Sequence, residues 1–159
     1  IKISNILNKF EKFESYKIQK IFPNKLKIYI NETKYIARTV RNGKEFIVGQ
    51  NKKFINIKNF NYDLDLPIIF GEFPIDSFIA LQKNLREINL DQIKINEYYY
   101  FKSGRWDLKF QNKKILKLPI KNQLHALKKY KMLNMENKFN ENNIIDFRIS
   151  DRIIISNEK

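Results

Sequence analysis

A chain of 159 residues, 43% hydrophobic and 14% aromatic, has apolar surface enough for one ordinary domain or two small ones, and its composition excludes a disordered polar tail. It has no cysteine, which excludes disulfides and thiolate metal centres, and none of its apolar runs approaches the roughly 20 residues that cross a bilayer as a helix. The formal charge of +14 admits nucleic acid or an anionic membrane surface as a partner.

The chain opens on Ile1 and enters a helical pattern at once, from which we expect a fragment whose N-terminal part, with any signal or anchor, is missing. Ile3, Ile6, Leu7, Phe10 and Phe13 recur at the spacing of one helix face. The period then changes to two in "YKIQKIFP" and "NKLKIYI", with Pro23-Asn24 as the turn of a hairpin. "KYIARTV" and "EFIV" flank Arg41-Asn42-Gly43, and Asn-Gly is a strong hairpin signal. "FINI" follows, then a loop rich in Asn, Tyr and Asp leads to "LPIIFGEFP". Asp76 or Ser77 can cap a helix through Phe78, Ile79, Leu81, Leu85 and Ile88.

Next come "KINEYYYFK", "RWDLKF" and "KILKLPI", a meander with Gly104 and Asn112-Lys113 at its turns, and a second helix with Leu124, Leu127 and Leu133 on its apolar side. Ile144 to Arg148 and Arg152 to Ser156 read as closing strands joined by a two-residue Ser150-Asp151 turn. The fold class is therefore α+β: a helix and hairpin, then a mainly antiparallel sheet carrying two helices.

Chemistry is hard to find. His125 is the only histidine, so a catalytic triad or a histidine-rich metal site is hard to build, and its helix context suits the rim of a core. Asp63 and Asp65 alternate with Leu64 and Leu66, as ordinary polar positions do, and no further ligands lie nearby. Neither a Gly-rich phosphate loop nor a GxSxG elbow is present, and Gly71 reads as a backbone turn. Tyr98 to Phe101 could stack bases, but successive strand residues point to opposite faces, so sheet packing is the better reading. The lysines are scattered (Lys2, Lys9, Lys17, Lys44, Lys58, Lys94, Lys113), and no recognition-helix, zinc-finger or RNA-binding signature accompanies them. No enzymatic activity, cofactor or metal is expected.

Four stretches, in order, resemble the FtsQ family of bacterial cell-division proteins, called DivIB in Gram-positive bacteria. "KIFPNKLKIYINETKYIA" is similar to the junction of that family's POTRA and β domains, on Lys20, Phe22, Pro23, Leu26, Ile28, Glu32 and Ala37. "LPIIFG" resembles its Leu-Pro-x-x-x-Gly, on Leu66, Pro67 and Gly71. "RWDLKFQNKKILKLP" resembles its Trp-x-Leu-x-Leu strand and following hairpin, on Arg105, Trp106, Leu108, Phe110 and Leu118. "IIDFRISDRIII" resembles its Asp-Leu-Arg stretch, on Asp146, Phe147 and Arg148. Tyr35 stands where a proline is common, Lys20 where arginine is usual and Phe147 where leucine is, and "GQNKKF" lacks the usual Asp and Gly.

The resemblance implies a partial POTRA domain at 1–33 and an FtsQ-type β domain at 34–159. It implies a non-enzymatic divisome scaffold, held in the inner membrane by one transmembrane helix outside this sequence, with this region in the periplasm. It implies FtsB and FtsL as partners in septum assembly, and a partner strand added at the last strand of the sheet. The residues placed there are Arg105, Arg148, Ile149, Ser150, Asp151, Arg152, Ile153, Ile154, Ile155 and Ser156, with Arg148 and Arg152 selecting an acidic partner. The competing reading of the closing strands is a hairpin whose isoleucines all face the core. The competing function is a basic nucleic-acid-binding module.

Overall fold

The computed structural model describes residues 2–57, 64–90, 94–136, 138, 143–149 and 152–157. The chain divides into two compact units, Ile1–Leu66 and Pro67–Lys159.

The first unit begins with α1, Lys2–Leu7. The apolar spacing suggested a helix reaching Phe13, and the structure corrects this. The amide N–H groups of Lys9 and Phe10 turn back onto the Ile6 and Leu7 carbonyls, and Phe13 instead opens β1, opposite Glu32. The Phe10 and Phe13 rings, read as one helix face, stack across that turn with centroids 5.0 Å apart.

Strands β1 (Phe13–Ile21) and β2 (Lys25–Glu32) form an antiparallel hairpin about the Pro23-Asn24 turn. Directly opposed residues share a face. Tyr16, Ile18 and Lys20 therefore lie with Ile30, Ile28 and Leu26 on one face, and Lys17, Gln19 and Ile21 with Tyr29, Lys27 and Lys25 on the other.

Strands β3 (Tyr35–Arg41), β4 (Lys44–Gly49) and β5 (Phe54–Asn56) form a meander. The expected Asn42-Gly43 turn is present with both residues at positive φ, 49° and 69°, which matches the right-handed twist of the strands it joins. Ala37 and Val48 are buried on one face of the meander and Ile47 and Ile55 on the other. Asn51 ties the hairpin to this meander. Its side-chain amide donates to the Glu11 and Phe13 carbonyls at 2.8 and 3.1 Å, and its backbone N–H donates to the Thr33 hydroxyl, which donates to Glu14.

The second unit has strand order β6-β7-β8-β9-β10-β11: Ile68–Phe70, Ile95–Tyr100, Trp106–Phe110, Ile115–Lys117, Ile144–Asp146 and Ile154–Ser156. Helix α2 (Ile75–Glu87) carries the chain from β6 to β7, and α3 (Gln123–Met135) from β9 to β10. Both crossovers return the chain in the same direction, so these two pairs are parallel and the remaining pairs antiparallel. The fold class is α+β as expected, with a sheet mixed at these two joints.

Trp106 is 0% exposed and is surrounded by the rings of Phe73, Phe78, Tyr98 and Tyr100. Its indole N–H donates to the Ser77 hydroxyl at 2.9 Å. That bond explains a second correction: Ser77 does not cap α2, whose N-cap is Pro74, and Asp76 sits inside the first turn near the positive end of the helix dipole. In α3 the buried residues are Ala126, Leu127 and Tyr130, with Leu124 and Leu133 only half-buried. Tyr130 stacks on Phe110, 5.7 Å between centroids, and this aromatic contact rather than the leucine spacing sets the helix face.

Gly71 is required where it stands. Its φ is +93°, and a Cβ there would lie 2.3 Å from the Tyr100 carbonyl oxygen.

Candidate partner-docking edge

Among the described residues β11 is the outermost strand of the second unit and pairs only with β10, through Ile144↔Ser156, Ile145↔Ile155 and Asp146↔Ile154. An edge strand presents one row of backbone N–H and C=O groups away from its neighbour. Its side chains are open as well. Ile154 is 47% and Ile155 42% exposed, whereas Ile145 on the adjacent strand is fully buried. A hairpin with all its isoleucines in the core is therefore not what forms.

The closing strands are shorter than their sequence suggested; the expected Ser150-Asp151 turn lies outside the described residues, and on its flanks the Arg152 N–H donates to the Ile149 carbonyl at 3.2 Å. The Asp146 carboxylate accepts the Arg148 backbone N–H at 2.9 Å, and the Phe147 N–H reaches the Lys117 carbonyl. This side-chain-to-backbone bond bends the chain out of the β10–β11 ladder directly after Asp146.

A row of charges runs inward from the edge. The register places Ile154 opposite Asp146, Asp146 opposite Lys117 and Lys117 opposite Asp107, so the four lie on one face across β11, β10, β9 and β8. Asp107 and Asp146 are both buried. Each is closed by an arginine two residues away. Arg105 donates to Asp107 at 3.0 and 3.3 Å while lying over the Phe101 ring at 3.8 Å. Arg148 grips Asp146 with Nε at 2.8 and 2.9 Å and a terminal nitrogen at 2.5 Å.

The two carboxylates respond differently. Burial raises the pKa of Asp107, and the nearby charge of Arg105, with its hydrogen bond, offsets this only in part. Burial also pushes Asp146 up, but the side-chain and backbone hydrogen bonds from Arg148, with its charge and that of Lys117, carry it below the usual carboxylate range. The Arg148 guanidinium is correspondingly held above its ordinary value by its bond to Asp146. Three cations, Arg105, Lys117 and Arg148, thus surround two carboxylates. The Arg148 side chain is 43% exposed, so the guanidinium that closes over Asp146 on one side meets solvent on the other.

Of the expected contact residues, Ile154, Ile155 and Ser156 form β11. Arg152 and Ile153 lead into it, and Arg148 and the exposed Ile149 lie in the connection before it. Ser150 and Asp151 lie outside the described residues. Arg105 lies in the β7–β8 turn and belongs to the same charge row. The row's other members, Asp107, Lys117 and Asp146, were not among the expected contacts. The signal for Asp107 and Asp146 was present in "RWD" and "DFR", where an Arg stands two residues from an Asp at the end of a strand; Lys117 carried no such signal.

Elsewhere, His125 is exposed on α3 and Asp65 is exposed, while Asp63 and Lys58 lie outside the described residues. Among the described residues no three of His, Asp and Glu gather to hold a metal. Nor is any described helix long and apolar enough to cross a membrane. The tyrosine run packs as sheet. Tyr98 is buried, its hydroxyl accepts from Gln82 at 3.0 Å, and burial pushes it up to about 12, whereas Tyr99 stacks on Phe70 and donates to Glu97.

No protein-family model and no curated protein matches the chain. Among solved structures it is similar to the major extracytoplasmic domain of the trans isomer of the bacterial cell division protein DivIB from Geobacillus stearothermophilus. That likeness has 16% identity and a TM-score of 0.44, over 69% of this chain and 98% of that one.

Proposed function

We propose that this chain is part of a non-enzymatic scaffold of the bacterial division machinery, and that β11 accepts a strand from an FtsB- or FtsL-type partner during septum assembly. One observation carries the proposal: the last strand is an edge with two exposed isoleucines, at the position where the FtsQ-like sequence stretches imply docking. Strand addition would satisfy the outward backbone row, and Ile154 and Ile155 would supply the apolar contact. Arg152 and the solvent side of Arg148 supply charge for an acidic partner. In the same reading residues 1–33 are the end of a POTRA domain and 34–159 the β domain. A transmembrane helix outside this sequence holds both at the outer face of the inner membrane.

The test is titration of the chain with an FtsB fragment. Ile155→Pro removes an outward-facing N–H, since Ile145 opposite it turns its backbone to β9 while Asp146 bonds Ile154, and Arg152→Glu reverses an exposed charge; both are expected to weaken binding at least tenfold while circular dichroism stays unchanged. Arg148→Glu is the poorer choice, because it sets a second carboxylate against buried Asp146. Parent-like binding by two folded variants moves the docking surface away from β11.

A further inference from the structure

We propose that the tip of the β1–β2 hairpin docks on an anionic lipid surface, its apolar turn entering the interface and its lysines meeting the headgroups. The proposal rests on the hairpin alone and is independent of the docking at β11.

From Ser15 to Asn31 the hairpin carries four lysines and no acidic residue. The register puts Lys17, Lys25 and Lys27 on one face with Ile21 and Tyr29, and Lys20 opposite Leu26 at the tip of the other, more apolar face. Among the described residues no carboxylate pairs with these lysines; the Lys27 ammonium lies over the Tyr29 ring at 5.0 Å. Helix α1 reaches the open end of the hairpin, where the Tyr16 hydroxyl donates to the Asn8 side chain at 2.9 Å and approaches the Ser4 carbonyl. Among the described residues nothing covers the tip end. Phe22 is 89% exposed there, with Ile21 and Leu26 exposed beside it and Lys20 and Lys25 bracketing the turn.

An apolar point within a collar of lysines suits the boundary between acyl chains and anionic headgroups, because the lysine stems lie along apolar surface while the ammonium groups stay at the charged layer. A nucleic acid fits less well. It would engage the lysines but leave the isoleucine, leucine and phenylalanine of the tip in water, and Tyr29, the aromatic ring on the basic face, is already occupied by Lys27.

The experiment is co-sedimentation of the 159-residue chain with vesicles of phosphatidylcholine, alone or mixed with phosphatidylglycerol. Binding is expected for the mixed vesicles only, weakening as salt rises. Phe22→Ser is expected to reduce it about tenfold, as burial of a phenylalanine ring implies. Lys25→Gln and Lys27→Gln are expected to cost about fivefold each, as expected for a lysine at an anionic surface. A Phe22→Trp variant is expected to blue-shift on the same vesicles. All these residues are exposed, and circular dichroism confirms the fold of each variant. Equal binding to neutral vesicles, or mixed-vesicle binding untouched by Phe22→Ser, overturns the proposal. So does binding of duplex DNA or single-stranded RNA that depends on the same lysines and displaces the vesicles with no effect of Phe22→Ser, which assigns the hairpin to nucleic acid instead.

Discussion

Arg148→Met isolates the contribution of the arginine–aspartate fork beside the edge strand. The substitution keeps an unbranched apolar stem but withdraws the two nitrogens that reach Asp146, leaving the backbone N–H of residue 148 as that carboxylate's remaining described donor. Hydrogen bonds to a charged group are worth about 1.5–3 kcal/mol each, and removing one partner of a fully buried pair costs about 3–5 kcal/mol. Arg148 is 43% exposed, so solvent screening reduces that figure, and a loss of about 2 kcal/mol near pH 7 is expected. With a urea slope of about 2 kcal/mol/M, the midpoint falls by about 1 M.

Trp106 is the single tryptophan and fully buried in the second unit, so its emission follows that unit's unfolding. The pH dependence supplies the sharper check. In the parent, Asp146 titrates below its unfolded value of about 3.9, so its stabilising effect is complete above that value and is lost as pH falls through the folded pKa. Without Arg148 its folded pKa rises, and the ionised carboxylate becomes a cost that protonation relieves. The gap between parent and variant should therefore close as pH is lowered through the carboxylate range. Adding Asp146→Asn should recover much of the loss. A gap under about 0.5 kcal/mol at pH 7, or one unchanged by both acid and Asp146→Asn, refutes the fork as the source of stability.

Asp107→Asn should behave oppositely to removal of a stabilising carboxylate: because burial raises the folded pKa of Asp107, its ionisation costs stability as pH rises from the unfolded value through the folded one, so the variant should lose less stability at pH 7 than at pH 3 in urea titrations. Gly71→Ala should cost more than about 2 kcal/mol, read from thermal unfolding, because it meets both a positive φ and the Tyr100 carbonyl; a shift in Tm of only a degree or two contradicts that geometry. Amide exchange should be faster in β1–β2 than in β7–β9, since most of the hairpin's side chains are exposed, and Asn51→Ala should speed it further by releasing Glu11 and Phe13; equal protection in both regions would contradict the expectation.

The fold was legible wherever one short-range rule acted alone. Asn42-Gly43 forced its hairpin, and the alternation in "NKLKIYI" produced β2. Legibility failed where a tertiary bond competed with local pattern. Phe13 fits the spacing of α1 but pairs with Glu32, because a ladder position offers it hydrogen bonds that a helix as short as α1 cannot. Ser77 looks like a cap until Trp106 claims its hydroxyl. The parallel pairs β6–β7 and β9–β10 were invisible locally, since strand direction is decided by the path of α2 and α3 across the sheet and by no residue within the strands.

The edge strand shows the same limit from the functional side. Its isoleucines were readable, but the charge row behind them needed the register of four strands. That register explains how an exposed apolar edge is tolerated. β11 is only three residues long, and Arg152 stands just before it, both features that discourage copies of one chain from pairing edge to edge. Next to it, Arg148 and Asp146 hold each other, so the chain leaves β10 at a fixed point and β11 begins with Ile154 opposite Asp146. A partner strand arriving there would meet a register already set by the arginine–aspartate fork. Asp146, buried and out of a partner's reach, would then still help decide which partner residues face Ile154 and Ile155.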